Sequence, residues 1–197
     1  ENDDGTIFRF AAHENTVLRQ IKDQMEFDDA YKYAELIDFI NLITEKKSED
    51  HFGARSMVDL NKMVQQYYYH PDMEGSNGLK KVLPAIMNAS DYLRGKYSNS
   101  LKCGKWLKGM QLWQFDDDKG KAKDPYSLLP PLFDAVDSSR DVYTNSEGEI
   151  KDGGAAMMAY LFMQFTDMQE DTREKIVNGL LRYCELDTLA TVMIYEH

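Results

Sequence analysis

The sequence predicts one mostly helical α/β domain. Apolar residues recur at helical spacing in roughly seven stretches, whereas only two short stretches are typical of strands. The 197 residues suffice for one hydrophobic core, and no repeat or linker divides them, so we predict a single domain over 1–197. Two lone strands make a marginal sheet. Either the fold is essentially helical, or strands that belong to the sheet are absent from this chain.

The first part of the chain alternates short strands with helices. The stretch 6–11 is rich in β-forming residues and precedes a helical pattern, which places Glu14 at a strand-to-helix junction. A second helix is predicted within 28–44, and the polar stretch 45–56 is predicted to be a loop. The very short strand in "SMVDL" leads into a further helix, which Asp59 is expected to cap.

The rest of the chain is predicted to be helices joined by loops. A loop over 68–78 precedes the helix "LKKVLPAIMNA", which Pro84 is expected to kink or end. A long surface loop is predicted from 115 to 134, followed by the small-residue-led helix "DGGAAMMAYLFMQF". The last helix is predicted from about Glu170 to the end, with a break near Cys184.

The net charge restricts the function classes. The chain carries 34 acids and 23 bases, for a formal charge of -11, which weighs against indiscriminate coating of nucleic acid. A nuclease remains open, because clustered carboxylates can chelate divalent cations while a local basic strip binds the substrate. Lys102, Lys105 and Lys108 form such a strip beside Trp106, and a solvated helix face is the alternative interpretation.

Cellular location and redox state follow from what the sequence lacks. No run reaches the 18 or so apolar residues that a membrane span needs, and the first residues do not resemble a signal peptide. We therefore expect a cytoplasmic protein without membrane contact. Cys103 and Cys184 are expected to be free thiols, and no spacing among the cysteines and histidines indicates zinc.

Tyr183 and Asp187 are four residues apart in the last predicted helix, so their side chains should project from one face. An aspartate can ligate Mg²⁺ or Mn²⁺, and a tyrosine hydroxyl one turn earlier can orient the water that attacks a phosphodiester. A core tyrosine beside a solvated aspartate produces the same spacing. The pair alone therefore does not decide between chemistry and packing.

Five stretches in order along the chain, "HENTVL", "MVDL", "GSNGLKKVLP", "DGGAAMMAY" and "YCELDTLA", resemble a bacterial family of domains of unknown function. That family is itself similar to the DEDD 3′-5′ exonucleases of the ribonuclease H-like superfamily. The resemblance covers most of the chain and implies a ribonuclease H-like fold, two Mg²⁺ or Mn²⁺ ions and a DNA or RNA substrate. Tyr183 and Asp187 match the third motif of the tyrosine subclass. Glu14 stands at the second motif, where aspartate is more usual.

The resemblance also implies that part of the site lies elsewhere. The first motif of these nucleases is Asp-x-Glu on an opening strand, and this chain has no convincing match. We therefore expect the chain to be the C-terminal portion of a nuclease domain whose N-terminal strands are missing. With two of four metal-binding carboxylates, the chain alone should be inactive or nearly so. His13, Lys80, Lys81, Lys105 and Lys108 are the expected substrate contacts.

Two other functions remain open at this point. A noncatalytic helical binding or scaffold domain would leave the acids solvated and retain only an inherited fold. A metal-dependent enzyme acting on a small phosphorylated molecule would need an enclosed pocket. The nuclease interpretation requires the carboxylates of Glu14 and Asp187 to lie within about 8 Å of each other in a concave site.

Overall fold

A computed structural model describes residues 5–46, 51–130 and 153–197. The described residues are predominantly helical with small sheets, in agreement with the predicted class. Their helices are α1 (His13–Asp29), α2 (Ala34–Ile43), α3 (Leu60–Tyr67), α4 (Leu79–Ala89), α5 (Asp91–Tyr97), α6 (Gly153–Phe165) and α7 (Glu170–Glu196). Their strands are β1 (Phe8–Arg9), β2 (Glu45–Lys46), β3 (His51–Phe52), β4 (Val58–Asp59), β5 (Phe115–Asp116) and β6 (Lys121–Ala122).

Contacts along the chain divide it into two compact units, Glu1–Leu79 and Lys80–His197, which we call the first unit and the second unit. The predicted single domain over 1–197 stays a prediction. Each unit is described by itself below.

The first unit contains a parallel strand pair joined by helices. β1 pairs with β4 in parallel, and Phe8 lies opposite Val58. Parallel strands require a crossover connection, which α1 and α2 provide here. Each of the two strands leads into a helix: α1 begins after a short bend that follows β1, and α3 begins immediately after β4. The core of the unit includes the buried side chains of Ile37, Ile40, Ile43, Leu60 and Val64.

A buried arginine connects the strands of the first unit. The side chain of Arg9 is 3% exposed, and its Nη2 lies 2.6 Å from Glu45 and 3.6 Å from Asp59. Asn15 adds two hydrogen bonds to the backbone of Glu45, each 2.9 Å long. Removing one partner of a buried charge pair costs about 3–5 kcal/mol. The junction between β1, β2 and α1 therefore depends on Arg9.

The second unit is built around α4 and α7. The sequence spacing of α4 places Val82, Leu83 and Ile86 in the core, and all three are almost fully buried. α7 contributes the buried residues Leu186 and Met193, together with Ile176, Tyr183 and Ala190. The Trp113 indole donates a hydrogen bond of 2.9 Å to the Met87 carbonyl, which attaches the segment after α5 to α4.

The predicted end of α4 at Pro84 and the predicted break of α7 near Cys184 are wrong, whereas a kink at Pro84 stays a prediction. α4 continues through Pro84, which cannot donate to the Lys80 carbonyl, while the flanking residues Leu83 and Ala85 are fully buried. α7 runs for 27 residues without a break near Cys184. A continuous buried face on both sides of Cys184 stabilises the helix through that point.

Several elements were not predicted. The polar stretch after α2 contains the β2–β3 pair, and the predicted loop from 115 contains the β5–β6 pair and a 3-10 turn over Pro125–Leu128. α5 was also missed. Residues 47–50 and the predicted loop beyond residue 130 lie outside the described residues. Short strands held by a few backbone hydrogen bonds leave little trace in hydrophobic spacing.

The lysines of the predicted basic strip do not lie on a helix. Residues 101–114 form a loop, in which Gly104 and Gly109 have φ angles of 97° and 89°. These left-handed backbone angles favour glycine and interrupt helical hydrogen bonding. The alternative interpretation of the strip, a solvated helix face, is therefore wrong, whereas the strip as a substrate-binding element stays a prediction.

Candidate functional site

Tyr183 and Asp187 lie one turn apart on the same face of α7, as their spacing predicts. Tyr183 is 6% exposed, and Asp187 is partly exposed. The tyrosine ring therefore belongs to the packed interior of the second unit, while the carboxylate stands at its edge. This placement is compatible with a carboxylate that meets a ligand from solvent.

Tyr126, which the sequence did not single out, binds the Asp187 carboxylate. The Tyr126 hydroxyl donates a short hydrogen bond to Oδ1 of Asp187. The rings of Tyr126 and Tyr183 have centroids 5.5 Å apart and an interplanar angle of 46°. Tyr126 is 3% exposed, and burial, followed by the hydrogen bond to Asp187, raises the pKa of its hydroxyl. Tyr126 therefore stays protonated and serves as a donor at neutral pH.

A turn before Tyr126 fixes its position. The Asp124 carboxylate accepts a hydrogen bond of 3.0 Å from the Tyr126 backbone N–H and caps the 3-10 turn over Pro125–Leu128. Burial raises the pKa of Asp124, although that hydrogen bond and the positive charge of Lys80 act in the opposite direction. An Asp-Pro pair before a tyrosine is a turn signal, so the cap was readable from the sequence. The contact of Tyr126 with Asp187, which lies 61 residues later, could not be predicted from the sequence.

Lys80 lies against both tyrosines. Its Nζ is 4.6 Å from the ring centroid of Tyr126 and 5.0 Å from that of Tyr183. An ammonium group over an aromatic face is attracted by the ring quadrupole. The structure thus brings the predicted residues Tyr183 and Lys80 together with Tyr126, which binds Asp187. Lys81, the other lysine predicted at this helix start, is exposed.

Glu14 lies in the first unit, in the first turn of α1. Its Oε1 accepts a hydrogen bond of 3.4 Å from the Phe10 backbone N–H. Its Oε2 is buried, and no hydrogen-bond donor among the described residues reaches it. A buried carboxylate oxygen without a partner is costly, so Glu14 is suited to binding a cation.

His13 and Asp59, two further predicted residues of the first unit, differ in their surroundings. His13 is exposed at the first position of α1. Asp59 accepts hydrogen bonds from the backbone N–H groups of Asn61 and Lys62, at 3.0 and 3.4 Å, and also from that of Ala11 at 3.0 Å. The prediction that Asp59 caps a helix is confirmed. Its oxygens are committed to the backbone and to Arg9.

The predicted site residues are thus distributed over both units. Tyr183, Asp187, Lys80, Lys81, Lys105 and Lys108 lie in the second unit, whereas His13 and Glu14 lie in the first. The distance that the nuclease interpretation requires, between Glu14 and Asp187, joins residues of different units and stays a prediction. Within residues 5–46, 51–130 and 153–197, no three acidic, histidine or cysteine side chains form a group able to hold a metal ion.

Glu185 is a further residue that the sequence did not single out. Its carboxylate accepts hydrogen bonds from the backbone N–H groups of Lys105, Trp106 and Leu107, at 2.8, 2.7 and 3.0 Å. Burial raises the pKa of Glu185, but these three hydrogen bonds outweigh it and the pKa is lowered. Glu185 is therefore ionised at neutral pH and holds the lysine-bearing loop against α7.

Comparison with known proteins gives one partial match. Residues 2–78 match the model of a domain of unknown function, DUF2779. The match covers less than half of the 197-residue chain. No curated protein and no solved structure matches the chain. The matched family has no described activity, and the comparisons give no link to the DEDD exonucleases.

Among the described residues, none of the helices has both the length and the apolar character needed to cross a lipid bilayer.

Proposed function

We propose that the chain carries part of a metal-dependent 3′-5′ exonuclease of the tyrosine subclass, with a ribonuclease H-like fold, which hydrolyses phosphodiester bonds of DNA or RNA. The observation that carries the proposal is the arrangement on α7, where Tyr183 and Asp187 share one face and Tyr126 anchors the Asp187 carboxylate. A buried hydrogen bond to a carboxylate fixes its orientation, as ligating carboxylates require.

The fold of the first unit supports the proposal. β1 and β4 are parallel, and each leads into a helix whose start carries an acid: Glu14 in the first turn of α1, and Asp59, the last residue of β4, at the N-cap of α3. Ligands of parallel α/β sheets bind beyond the carboxyl ends of the strands. Glu14 stands at this edge with one buried oxygen that no donor among the described residues reaches. Asp59, in contrast, stabilises the edge itself.

Glu14 and Asp187 fit divalent cations, because Mg²⁺ and Mn²⁺ prefer carboxylate oxygens. When bound, such ions activate water and stabilise the leaving oxygen of a phosphodiester. Two carboxylates supply only part of a two-ion site. The remaining ligands belong, in this proposal, to the Asp-x-Glu motif upstream, so the chain by itself should have little or no activity.

The other side chains in this proposal bind the substrate or orient the groups that react with it. Tyr183 positions the attacking water through its hydroxyl, and Tyr126 holds the Asp187 carboxylate in place. Lys80, whose ammonium lies beside both tyrosine rings, provides the positive charge for a substrate phosphate. His13, Lys81, Lys105 and Lys108 are further substrate contacts in this proposal.

The test uses the full-length protein, including any strands encoded before residue 1. Asp187→Asn should abolish Mn²⁺-dependent degradation of single-stranded DNA or RNA, and Tyr183→Phe should reduce the rate about 10²-fold or more. Both substitutions preserve side-chain volume, and circular dichroism checks that the helices remain.

Glu174→Gln is the matched control, because Glu174 is an exposed acid on the same helix. Its rate should equal that of the unmodified protein. Unchanged rates in both Asp187→Asn and Tyr183→Phe would reject the assigned roles.

A further inference from the structure

A polar pocket lies in the first unit, where β1, β2, α1 and α3 meet. Its volume is about 470 Å³, within the range of small-molecule sites. Each of these four elements contributes one basic residue to its lining: Arg9, Arg19, Lys46 and Lys62. This concentration of positive charge contrasts with the formal charge of -11 for the whole chain.

Three acids also line the polar pocket, and two of them are already engaged. Oε1 of Glu45 lies 2.6 Å from Nη2 of Arg9 and 3.8 Å from Nζ of Lys62. Asp59 accepts hydrogen bonds from three backbone N–H groups and lies 3.6 Å from Arg9. The third acid, Asp23, is 65% exposed to solvent. Four basic and three acidic side chains give the described lining a formal charge of +1, which favours an anion.

Arg9 borders the polar pocket with donor capacity that its ion pairs do not use. Its side chain is 3% exposed, and Nη2 binds Glu45. Nε is also buried, and no hydrogen-bond acceptor among the described residues reaches it. A guanidinium carries five N–H donors, and a buried donor without an acceptor is costly. The buried wall of the pocket therefore holds a positive charge that is only partly satisfied.

The first turn of α1 adds a second source of positive potential. Ala12, Asn15 and Thr16 line the polar pocket, and Ala12, the N-cap, has no side-chain acceptor for the N–H groups of the turn. Backbone N–H groups at a helix N-terminus bind phosphate and other anions. Two hydrogen bonds between Asn15 and the Glu45 backbone fix this turn against β2. Glu14, the acid of the turn, is not one of the lining residues.

The three other basic side chains suit a phosphate group better than a carboxylate. Nη1 of Arg19 donates a hydrogen bond of 3.4 Å to Oγ1 of Thr44, which places the guanidinium beside the start of β2. Lys46 is half-buried, and the side chain of Lys62 is 51% exposed. A phosphate monoester carries almost two negative charges on three acceptor oxygens. Cations that approach from three elements can each bind a different oxygen of that group.

The rest of the polar pocket suits a hydroxylated group. Thr16, Gln20 and Asp23 supply a hydroxyl, an amide and a carboxylate, which bind sugar hydroxyls well. No aromatic side chain among the described residues lines the pocket, so a nucleobase would find no stacking face there. The volume also exceeds that of a phosphate ion alone. A sugar carrying a phosphate therefore matches both the size and the chemistry of the pocket.

We propose that this polar pocket binds a small sugar phosphate. The phosphate lies at the start of α1 on Arg19, Lys46 and Lys62, and the sugar hydroxyls bind Gln20 and Asp23. Neither a metal ion nor a nucleic acid enters this inference, so it stands apart from the proposed function.

The test titrates the ¹⁵N-labelled chain with ribose 5-phosphate in EDTA and low salt, followed by nuclear magnetic resonance. The backbone amide signals of Asn15, Thr16 and Lys46 should shift with one common dissociation constant. Ribose, which lacks the phosphate, and gluconate, a sugar acid with a carboxylate instead, should each bind at least about fivefold more weakly. Absence of these shifts at about 10 mM ribose 5-phosphate, or equal affinity for gluconate, would overturn the proposal.

Single substitutions identify the phosphate contacts. Arg19→Gln and Lys62→Gln should each raise the dissociation constant for ribose 5-phosphate about fivefold or more, and Arg19→Lys should recover part of the affinity. Lys32→Gln removes an exposed lysine of the same unit outside the pocket and should change the constant less than about twofold. The spectra of the free variants check that each one is folded. Unchanged affinity in both glutamine variants of the pocket would show that the phosphate does not bind there.

Inorganic phosphate separates the sugar contacts from the phosphate contacts. It should bind more weakly than ribose 5-phosphate, and Gln20→Ala should weaken only the binding of ribose 5-phosphate. Equal affinity of the unmodified chain for the two ligands would overturn the sugar contacts. Because every titration contains EDTA, the result does not depend on whether Glu14 or Asp187 binds a metal ion.

Discussion

The contact between Tyr126 and Asp187 determines what the Asp187 carboxylate can do. One carboxylate oxygen accepts the Tyr126 hydroxyl, so a cation would be bound chiefly by the other oxygen. Burial keeps Tyr126 protonated by raising the pKa of its hydroxyl. The carboxylate therefore has a fixed orientation over the whole neutral pH range, which a solvated aspartate would not have.

Tyr126→Phe should weaken metal binding without unfolding the chain. The change removes the donor but keeps the ring that packs on Tyr183. Loss of such a supporting hydrogen bond typically costs about 10- to 100-fold in metal affinity. In the full-length protein, the Mn²⁺ concentration for half-maximal activity should rise by that factor while the rate at saturating Mn²⁺ falls less. Tyr160→Phe, at an exposed tyrosine of α6, is the control and should leave both quantities unchanged.

A Tyr126→Phe variant with unaltered Mn²⁺ dependence, alongside an inactive Asp187→Asn, would limit Tyr126 to packing.

The i, i+4 pair of Tyr183 and Asp187 could be predicted, because helical periodicity fixes it. Tyr126 could not, because its contact with Asp187 spans 61 residues and depends on how a 3-10 turn packs onto α7.

At the scale of elements, α7 presents two faces with different chemistry. One carries Tyr183 and Asp187, and the other carries Glu185, which holds the loop over 101–107. The predicted break near Cys184 would have separated these faces, but buried residues continue along the whole helix. Helices with a strong apolar stripe, such as α2 and α4, could be predicted. The two-residue strands could not, because distant backbone pairing defines them.

Glu185→Ala should release the loop that carries the lysines. The backbone N–H groups of Lys105, Trp106 and Leu107 would lose their acceptor and exchange with solvent. Hydrogen–deuterium exchange should therefore be about tenfold or more faster at these amides. Glu174→Ala, at an exposed position of α7, should leave these rates unchanged. Equal protection in both variants would mean that other contacts hold the loop.

At the scale of the whole molecule, the compact first unit and the family match have nearly the same limits. The unit covers Glu1–Leu79 and the match covers residues 2–78. A physical unit and a unit of sequence similarity thus coincide. The resemblance predicted from short motifs extends further, into α7, where the comparisons give no match. Short motifs identify positions of similar chemistry, whereas a family model requires similarity along a whole segment.

The stability of the chain should fall at alkaline pH through Tyr97. The Tyr97 hydroxyl donates a hydrogen bond of 2.8 Å to Oε2 of Glu196 and so connects α5 to the end of α7. Burial, followed by this hydrogen bond, raises the pKa of Tyr97 to about 12. The unfolded value is near 10, so the contribution is present below pH 10 and disappears as pH rises toward 12. Its loss should lower the free energy of unfolding by up to about 2 kcal/mol.

Urea unfolding at pH 9 and pH 11 measures this effect. Tyr97→Phe should lose less stability between the two values than the unmodified chain, because phenylalanine does not titrate. Tyr92→Phe, at an exposed tyrosine in α5, should behave like the unmodified chain. If the Tyr97 and Tyr92 variants lose equal stability, the fall has another origin.

The uninterrupted course of α7 has a mechanical consequence. A rigid rod of 27 residues transmits any rotation or sliding along its full length. Tyr183, Glu185 and Asp187 therefore keep their mutual spacing and orientation whenever the helix moves as one body.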